Sequence, residues 1–456
     1  MVVGDLATEV DVVVLGAGPG GYVAAIRAAQ LGKQVALIHE GPLGGGCLHE
    51  GCIPSKALLS AAHQAWQLPH LVRMGISAGE VKLDFAQMQN WKGGIVSRLS
   101  NGVKTLLEEH EVHIVQGKGW FIEPNNIRVQ QKYGAGRFIF EECILAVGAA
   151  PVSLPAWPFD GERILTPSQA LQLSNLPKDI AIVGSNYIAA ELATLFAKLG
   201  VVVRLLIPAG ERLLNEFDPI AGRQIQVNLR QLGVKIKRKV KNLATTPALQ
   251  HAEKVVISIG VKARTKGLHL EIPGVKTDKN GSILLNERMQ SSNPAIYAVG
   301  DVTGGPPYAA LAIKQAKVAA EAIAGLPVAY APQAVPRVVS TDPEVAFVGV
   351  SAQEAQDLGY QTITGRFPLA ANRRALTLNA PLGVVLTVAE KGSQVLLGVT
   401  IIAPHASHLI GEAALAIEMG ATLTDLAETL HPHPGLGEAL QESAEAALGK
   451  VIHVIQ

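Results

Sequence analysis

One stretch near the start of the chain restricts the fold more than any other: a strand, a glycine-rich turn and a helix in immediate succession. The β-branched run Asp11–Leu15 is typical of a central parallel strand, and helix-forming residues follow over Tyr22–Leu31. In the G-A-G-P-G-G turn between them, Gly16 permits a tight turn, Gly18 lets a pyrophosphate approach the backbone, and Gly21 lets the helix pack closely. Since the helix N-terminus also offers free N–H groups to phosphates, the stretch predicts a dinucleotide-binding unit.

The strand after this helix, Gln34–Ile38, should end in a residue that holds the ribose hydroxyls of the dinucleotide. An acidic side chain is usual at that position, but this chain has His39, followed by Glu40. Either residue can fill the role, Glu40 as a carboxylate or His39 through a ring nitrogen that accepts a hydrogen bond. The alternative is that both side chains simply face solvent at the end of a strand.

Composition limits the classes of protein to consider. The 456 residues include 39 Lys and Arg against 38 Asp and Glu, so the charge balance predicts no nucleic acid partner and no anionic membrane. Three cysteines are too few for a structural disulfide framework, which favours the cytoplasm over a secreted setting. We expect no signal peptide, because the first apolar run, Val10–Leu15, has the length of a strand. We expect no membrane span, because no apolar stretch approaches about 18 residues.

Two of the three cysteines, Cys47 and Cys52, are separated by four residues in a glycine-rich stretch that continues into Pro54 and Lys56. Thiols at this spacing can close a small disulfide ring, and a nearby cation lowers the pKa of a thiol and makes the pair reactive. The alternative is that both are buried cysteines that act as small hydrophobic residues. The third cysteine, Cys143, lies in an apolar run and is interpreted as a core residue.

The fingerprint followed by C-x4-C-x-P-S-K resembles the flavin-dependent pyridine nucleotide-disulfide oxidoreductases, and among them most closely the dihydrolipoamide dehydrogenases. The resemblance implies that Cys47 is the interchange thiol that attacks the substrate and that Cys52 is the charge-transfer thiol beside the FAD. It also implies that Lys56 lies near the flavin ring, where its charge stabilises the thiolate and the reduced flavin. The residues usual around the first cysteine are replaced here by Gly46 and His49.

The same resemblance implies further cofactor contacts. Gly119 would contact the adenine from a turn predicted at 117–121, and Asp301 would bond the ribityl chain. Ala309 would contact the flavin through its backbone, although the usual neighbouring histidine is Ala310 here. The complete predicted set of cofactor-binding residues is Gly16, Gly18, Gly20, Gly21, His39, Glu40, Gly45, Gly46, Lys56, Gly119, Ala146, Gly148, Tyr187, Gly300, Asp301 and Ala309.

A second strand–turn–helix unit follows at Asp179–Val183 and Tyr187–Leu199, but its fingerprint is altered. Asn186 replaces the second glycine, so a side chain projects where pyrophosphate should approach the backbone. By resemblance, Ile207 stands where NAD-using relatives carry the acidic ribose-binding residue, and Val261 stands where they carry an arginine. We therefore predict an NAD site in which binding is weak or replaced.

Residues on the flavin side of this second unit are retained. By resemblance, Tyr187 and Ile188 lie beside the nicotinamide position, and Glu191 pairs with Lys56. The hairpin region that usually completes the domain is short, covering 234–259. The resemblance thus implies a complete thiol face of the flavin and an altered nicotinamide face.

From Val335 the sequence changes to short strands, with helices among them. Strands are predicted at 335–339, 345–350, 383–389 and 395–402, and helices at 406–418 and 423–430. This pattern resembles the family's dimerisation domain, and its H-P-H-P-G-L-G-E segment resembles the family's H-x-H-P-T-L-S-E. By that resemblance His433 exchanges a proton with Cys47 and the dithiol, and Glu438 orients its other ring nitrogen. The histidine acts on the disulfide of the other subunit in this family, so we expect a homodimer.

Together these patterns predict an α/β protein with two Rossmann-like dinucleotide-binding domains, the second inserted in the first, and an α+β C-terminal dimerisation domain. The FAD-binding domain is predicted to comprise residues 1–150 and 263–333. The NAD-binding-like domain is predicted at 151–262 and the dimerisation domain at 334–456.

The resemblance implies an FAD enzyme that oxidises dihydrolipoamide on a lipoyl-bearing partner protein through the Cys47–Cys52 disulfide, with hydride passed to NAD⁺. Two alternatives remain open. One is a related disulfide reductase that acts on a small disulfide or uses another acceptor, and the other is a flavin-bearing electron-transfer or assembly subunit without turnover. Mercuric reductase is disfavoured, because the last cysteine is Cys143 and no C-terminal cysteine pair exists. No metal site is predicted.

Overall fold

A computed structural model of the chain describes residues 7–77, 79 and 81–455. Its first part alternates strands and helices, because apolar strand runs alternate with helix-forming segments. The elements are β1 (Ala7–Leu15), α1 (Pro19–Gln30), β2 (Val35–His39), α2 (Gly45–His49), α3 (Cys52–Gln67), a 3₁₀ helix (Leu68–Met74), α4 (Phe85–Glu109), β3 (His113–Gln116), β4 (Lys118–Glu123), β5 (Asn126–Gln130) and β6 (Ala135–Leu145).

These strands form one sheet in the order β3-β2-β1-β6-β5-β4. β1 lies between β2 and β6 and is parallel to both. Val12, Val13 and Val14 are fully buried, as expected for a central strand covered on both faces. The glycine-rich turn consequently lies at the carboxyl end of β1, which is the edge where ligands bind in open parallel sheets.

A second sheet follows, and its strands are all parallel in the order β11-β10-β9-β12-β8. The elements of this part are β7 (Ala149–Pro151), β8 (Ile164–Leu165), α5 (Pro167–Leu171), β9 (Asp179–Val183), α6 (Tyr187–Lys198), β10 (Val202–Pro208), α7 (Pro219–Gln231), β11 (Lys235–Val240), α8 (Pro247–Gln250), β12 (Lys254–Ile257) and β13 (Val261–Ala263). The hairpin predicted at 234–259 is wrong: β11 and β12 each join the sheet in parallel, on opposite sides of β9 and β10.

After β13 the chain returns to the first sheet. β14 (Ile296–Ala298) pairs in parallel with the end of β6, and a 3₁₀ turn (Gly300–Thr303) and α9 (Ala309–Ile323) follow it. α9 packs beside α1, and both helices share one apolar core. The second sheet is therefore an insertion in the first α/β unit, as the sequence predicted.

The last part of the chain is an antiparallel sheet in the order β15-β16-β19-β18-β17, packed against helices. Its elements are β15 (Arg337–Val339), β16 (Glu344–Gly349), α10 (Ala352–Asp357), β17 (Thr362–Pro368), a 3₁₀ turn (Leu369–Ala371), α11 (Arg373–Thr377), β18 (Val384–Glu390), β19 (Leu396–Ala403), α12 (Ala406–Glu418), α13 (Leu423–Glu428) and α14 (Glu438–Ala447). None of the helices in the described ranges is both long enough and apolar enough to cross a bilayer.

Two local predictions differ from the structure. The segment predicted as a turn at 117–121 is mostly strand, because Lys118–Glu123 pairs antiparallel with β5. The strand Thr362–Pro368 was not predicted, since its glycine and arginine interrupt the apolar alternation. The helix predicted at 406–418 is confirmed with those bounds. The boundaries after residues 150, 262 and 333 remain our proposed division of the chain.

Gly365 in β17 allows a close approach between the last sheet and α14. A Cβ at this position would lie 1.8 Å from the Ser443 carbonyl oxygen of α14. We therefore expect Gly365→Ala to push α14 away and to lower the free energy of unfolding by about 1–3 kcal/mol, measured by urea denaturation. Gly392→Ala is the matched control, because no atom lies within 4 Å of a Cβ there. Equal stability of the two variants would contradict the packing described.

Candidate active site

Cys47 and Cys52 form a disulfide where two helices meet. Cys47 lies in α2, Cys52 is the first residue of α3, and their Cα atoms are 4.8 Å apart. The alternative of two unpaired core cysteines is therefore wrong. Cys52 is exposed at the helix N-terminus, where the helix dipole stabilises a thiolate once the disulfide is reduced. Cys143 is fully buried in β6, and burial raises the pKa of its thiol, as expected for a core residue.

Lys56 lies one helical turn after Cys52 and is held by a buried carboxylate. Its Nζ donates to both carboxylate oxygens of Glu191, at 2.7 and 2.8 Å. Glu191 lies in α6, is only 4% exposed, and also accepts a hydrogen bond from the Ser340 N–H at 2.8 Å. The predicted pairing of Lys56 with Glu191 is confirmed. It joins α3, the helix α6 of the inserted unit and the loop between β15 and β16.

The turn after β1 has a shape that only glycine allows. Gly16 has a φ of +106°, and a Cβ there would lie 2.3 Å from the Ala146 carbonyl oxygen. A Cβ at Gly45 would lie 2.5 Å from Gly18 Cα, so the loop before α2 closes over the turn. Gly18 begins α1 without a capping side chain, which leaves the N-terminal N–H groups of the helix to a ligand. This cradle fits the pyrophosphate of FAD.

The end of β2 distinguishes the two candidates for ribose binding. His39 is buried, whereas Glu40 is exposed. His39 Nδ1 lies 2.5 Å from the Gly41 carbonyl oxygen, and a carbonyl can only accept, so Nδ1 carries the proton. In the neutral ring Nε2 is then an acceptor for a ribose hydroxyl. The geometry favours His39.

The remaining flavin-side residues follow β14. The Gly300 N–H donates to Gln315 Oε1 at 2.7 Å, which fixes the turn before Asp301. Burial raises the pKa of Asp301, although Arg264 opposes the shift, and no described residue hydrogen-bonds its carboxylate. A half-buried carboxylate of this kind is suited to accept hydrogen bonds from the hydroxyls of a ribityl chain. Ala309 lies next in this region, as the first residue of α9.

Other residues of the predicted cofactor-binding set lie around the glycine-rich turn after β1. A Cβ at Gly21 would lie 3.3 Å from Ala146 Cβ, and a Cβ at Gly20 would lie 3.0 Å from Val299 Cγ2, so these residues belong to the same cradle. A Cβ at Gly119 of β4 would lie 2.9 Å from Leu15 Cδ2, at the end of β1. Gly148 follows β6 with a φ of +71°, and Gly46 is exposed in α2 next to Gly45.

The fingerprint of the inserted sheet is built differently. Asn186 begins α6, and its Oδ1 accepts hydrogen bonds from the Ala189 N–H and from Ser258 Oγ, both at 3.0 Å. Its Nδ2 donates to the Ser258 carbonyl oxygen at 3.0 Å. The Asn186 side chain therefore occupies the N-terminus of α6, in the position that a phosphate takes in an open fingerprint.

No ribose-binding carboxylate ends β10. Ile207 is buried and Pro208 is the last residue of the strand, so neither side chain can hydrogen-bond a ribose. The next carboxylate along the chain is Glu211, which accepts a hydrogen bond from Ser185 Oγ beside the altered fingerprint. This part of the site thus presents a negative charge to the phosphates of a dinucleotide.

A cavity of about 290 Å³ lies between the start of α6 and the segment that precedes α9. Tyr187 and Tyr308 lie at one side with their ring centroids 5.8 Å apart, and the Tyr187 hydroxyl donates to the Pro307 carbonyl oxygen at 3.4 Å. Burial raises the pKa of Tyr308 to about 12, so this phenol stays protonated at neutral pH. Ile188 and Val261 also contribute to the lining, which is mostly apolar. The cavity can accept a flat heterocycle such as nicotinamide.

His433 and Glu438 form a hydrogen-bonded pair in the last domain. His433 Nδ1 lies 2.7 Å from Glu438 Oε1, and Glu438 Oε2 accepts the Gly435 N–H at 2.7 Å. Burial opposes ionisation of Glu438, but the Gly435 N–H and His433 hold the pKa of its carboxyl below its usual range. The carboxylate therefore holds the Nδ1 proton and leaves Nε2 as an acceptor. The His433 side chain is 59% exposed, and no hydrogen bond within the described chain joins it to either cysteine.

Residues 10–316 match the family described as pyridine nucleotide-disulphide oxidoreductase, and residues 335–444 match the dimerisation domain of the same family. The chain belongs to this family. The family assignment makes the chain an oxidoreductase that uses FAD and a pyridine nucleotide, with the Cys47–Cys52 disulfide as its redox centre.

Full-length relatives and solved structures of this family are similar to the chain. A protein of Geobacillus stearothermophilus named dihydrolipoyl dehydrogenase is 43% identical over 473 residues, which cover 100% of both chains. A protein of Haloarcula marismortui named dihydrolipoyl dehydrogenase 2 is 39% identical over 472 residues, which cover 99% of this chain and 100% of the relative. The crystal structure of LpdA from Mycobacterium tuberculosis has a TM-score of 0.88 at 26% identity and covers 96% of this chain and 99% of that one.

Several residues of this family member were missed by sequence reasoning. Ser340 contributes only a backbone N–H to Glu191, and backbone donors carry no signal in the residue type. Glu211 is a surface carboxylate in a charged segment, and only the fold brings it to Ser185. The contact of the Tyr308 ring with Tyr187 was also missed, because no motif connects these two residues.

The buried charge of Glu191 makes Lys56 important for stability as well as for redox chemistry. We expect Lys56→Met to leave the Ser340 N–H as the remaining partner of Glu191 and to lower the free energy of unfolding by about 1–3 kcal/mol in urea titrations. Lys104→Met is the matched control, because Lys104 pairs with Glu108 at 3.6 Å on an exposed surface. That pair should contribute about 0.5 kcal/mol or less. Equal losses in the two variants would show that the buried pair has no special role.

Proposed function

We propose that this chain oxidises dihydrolipoyl groups carried by a partner protein and transfers the electrons to NAD⁺. The observation that carries the proposal is the Cys47–Cys52 disulfide at the start of α3, with Lys56 one turn later and Glu191 behind it. The relatives named dihydrolipoyl dehydrogenase support the choice of dithiol. A lipoyl arm is long and flexible, which suits a disulfide that lies near the surface.

The first half of the reaction is thiol–disulfide exchange. One substrate thiolate attacks Cys47 Sγ, which forms a mixed disulfide and releases Cys52 as a thiolate. The second substrate thiol loses its proton and attacks the substrate sulfur that is bonded to Cys47, so the lipoyl S–S bond forms, the bond to Cys47 breaks and Cys47 takes up a proton. In sum, the protein disulfide is reduced by two electrons and the substrate dithiol is oxidised to a disulfide. Lys56 and the N-terminus of α3 stabilise the Cys52 thiolate.

In the second half of the reaction, electrons pass from the reduced thiol pair to the nucleotide through FAD. When bound, FAD relays two electrons from the thiol pair to NAD⁺. The residues that would hold it are the glycine cradle at Gly16 and Gly18, His39 at the ribose, and Asp301 at the ribityl chain. We assign these roles, and those of the other predicted cofactor residues, as part of the proposal.

His433 is proposed as the acid–base that moves protons between the substrate dithiol and Cys47. Because Glu438 holds Nδ1, the ring presents Nε2 to a thiol. The exposure of the ring fits a site that a second subunit completes, and the match to a dimerisation domain supports a homodimer. We propose the cytoplasm as its location, since the disulfides of cytosolic proteins are usually transient and catalytic, as we propose for Cys47–Cys52.

The proposal is tested by mixing the oxidised holoenzyme with dihydrolipoamide in a stopped-flow instrument. A long-wavelength thiolate-to-flavin charge-transfer band should appear, and NAD⁺ should then remove it. Cys47→Ser should abolish reduction by the dithiol, whereas Cys143→Ala should not, because Cys143 is buried in β6. An unchanged spectrum in the wild-type protein would contradict the enzyme and favour a flavin subunit without turnover. Reduction followed by no response to NAD⁺ would refute the choice of acceptor.

The dimer is tested by complementation between two inactive variants. Subunits with Cys47→Ser keep His433, and subunits with His433→Gln keep the disulfide. If the histidine acts across the interface, unfolding and refolding an equal mixture should yield heterodimers with one complete site. Random pairing should then restore about a quarter of wild-type activity. No recovery, with dimers present in analytical ultracentrifugation, would show that each subunit uses its own histidine.

A further inference from the structure

The two fingerprints of this chain begin their helices with the same backbone conformation. Gly18 has φ −69° and ψ −177°, and Asn186 has φ −78° and ψ 174°. Any residue adopts this extended conformation without strain, so Asn186 is not forced by the fold. At this helix-capping position the two units differ in the side chain and not in the backbone, so the first fingerprint serves as an internal reference for the second.

The Asn186 side chain makes hydrogen bonds with the groups at the start of α6 that a bound dinucleotide would need. Asn186 Oδ1 accepts the Ala189 N–H, one of the free donors at the start of α6. The same oxygen accepts Ser258 Oγ, and Nδ2 donates to the Ser258 carbonyl oxygen. At Gly18 no side chain caps the helix. A pyrophosphate at α6 would have to displace Asn186 and break all three hydrogen bonds.

The negative charge of Glu211 also disfavours binding of the dinucleotide. Glu211 is exposed and is held beside the fingerprint by the hydroxyl of Ser185. A carboxylate at this place repels the phosphates of a dinucleotide. Pro208 and the buried Ile207 at the end of β10 offer nothing to the adenosine ribose in return. The adenosine diphosphate half of the site is therefore unfavourable by contact and by charge.

The nicotinamide half is retained. The cavity of about 290 Å³ is lined by residues that include Asn186, Ile188, Tyr187 and Tyr308. Its mostly apolar lining suits a planar ring, and the rings of Tyr187 and Tyr308 lie 5.8 Å apart in its wall. A ligand can thus be held at one end while the other end makes few contacts.

We propose that Asn186 and Glu211 are specificity-determining residues, which exclude the adenosine diphosphate half of the nucleotide and leave NAD⁺ to bind through its nicotinamide half. The inference rests on the proposed function, in which NAD⁺ is the acceptor. It predicts that fragments of NAD⁺ bind very unequally: nicotinamide mononucleotide competes with NAD⁺, and ADP-ribose does not.

Isothermal titration of the oxidised holoenzyme with NAD⁺, nicotinamide mononucleotide and ADP-ribose tests this assignment. In the wild-type protein ADP-ribose should show no binding at millimolar concentration. Asn186→Ala frees the Ala189 N–H and should strengthen ADP-ribose binding by about tenfold, the value of one hydrogen bond. Glu211→Gln should do the same by removing a charge. Neither substitution should change the Kd of nicotinamide mononucleotide by more than about threefold.

Two controls separate occupancy of the site from damage to the helix. Asn186→Asp keeps the capping oxygen and adds a negative charge, so it should gain no ADP-ribose binding. Ser351→Ala removes the cap of α10 in the last domain and should leave all three Kd values unchanged. Thermal unfolding of every variant shows whether it is folded.

The assignment is overturned if wild-type protein binds ADP-ribose as tightly as NAD⁺. It is also overturned, residue by residue, if Asn186→Ala or Glu211→Gln binds ADP-ribose no better than the wild type. Failure of the proposed function is distinguishable, because reduction by dihydrolipoamide needs no nucleotide. The titrations need no turnover.

Discussion

The ion pair between Lys56 and Glu191 is the contact on which the arrangement of this molecule depends. A carboxylate that is only 4% exposed must be paired, and its partners come from helix α3 and from the backbone of Ser340. The three groups belong to the first α/β unit, the inserted unit and the loop between the first two strands of the last sheet. Because Cys52 begins the helix that carries Lys56, the same contact fixes the redox disulfide relative to all three parts. The buried carboxylate of Glu191 therefore contributes both to the packing between these parts and to the position of the redox disulfide.

The site that results has two unlike faces. On the thiol face Cys52 lies at a helix N-terminus and Lys56 is held by a buried carboxylate. His433, which we propose for the same face in the dimer, is held by Glu438 so that one ring nitrogen is free. On the nucleotide face the protein's own side chains take the hydrogen bonds that a phosphate would make. Asn186 is the clearest case, since it satisfies the start of α6 without a ligand. The chain thus retains more of the residues that thiol chemistry needs than of those that nucleotide binding needs.

The sequence sufficed for those parts of the molecule that local pattern determines. The strand before Gly16 and the helix over 406–418 could be predicted from apolar runs and glycines, and the family resemblance implied the pairing of Lys56 with Glu191. Strand Thr362–Pro368 could not, because its neighbours in the sheet, and not its own alternation, make it a strand. The choice between His39 and Glu40 needed the structure as well, since burial at the end of β2 decided it. Likewise, the hydrogen bond between Ser185 and Glu211 joins residues that no motif connects.

The difference between Gly18 and Asn186 also bears on how the protein responds to losing its ligands. The first α/β unit begins its helix with unsatisfied N–H groups, so bound FAD adds free energy of folding to that unit by mass action. The inserted sheet gains little from a ligand, because Asn186 already completes its helix. Heating should therefore bleach the protein and loosen the first sheet while the inserted sheet is still ordered. One chain thus combines a nucleotide domain completed by its ligand with another completed by its own sequence.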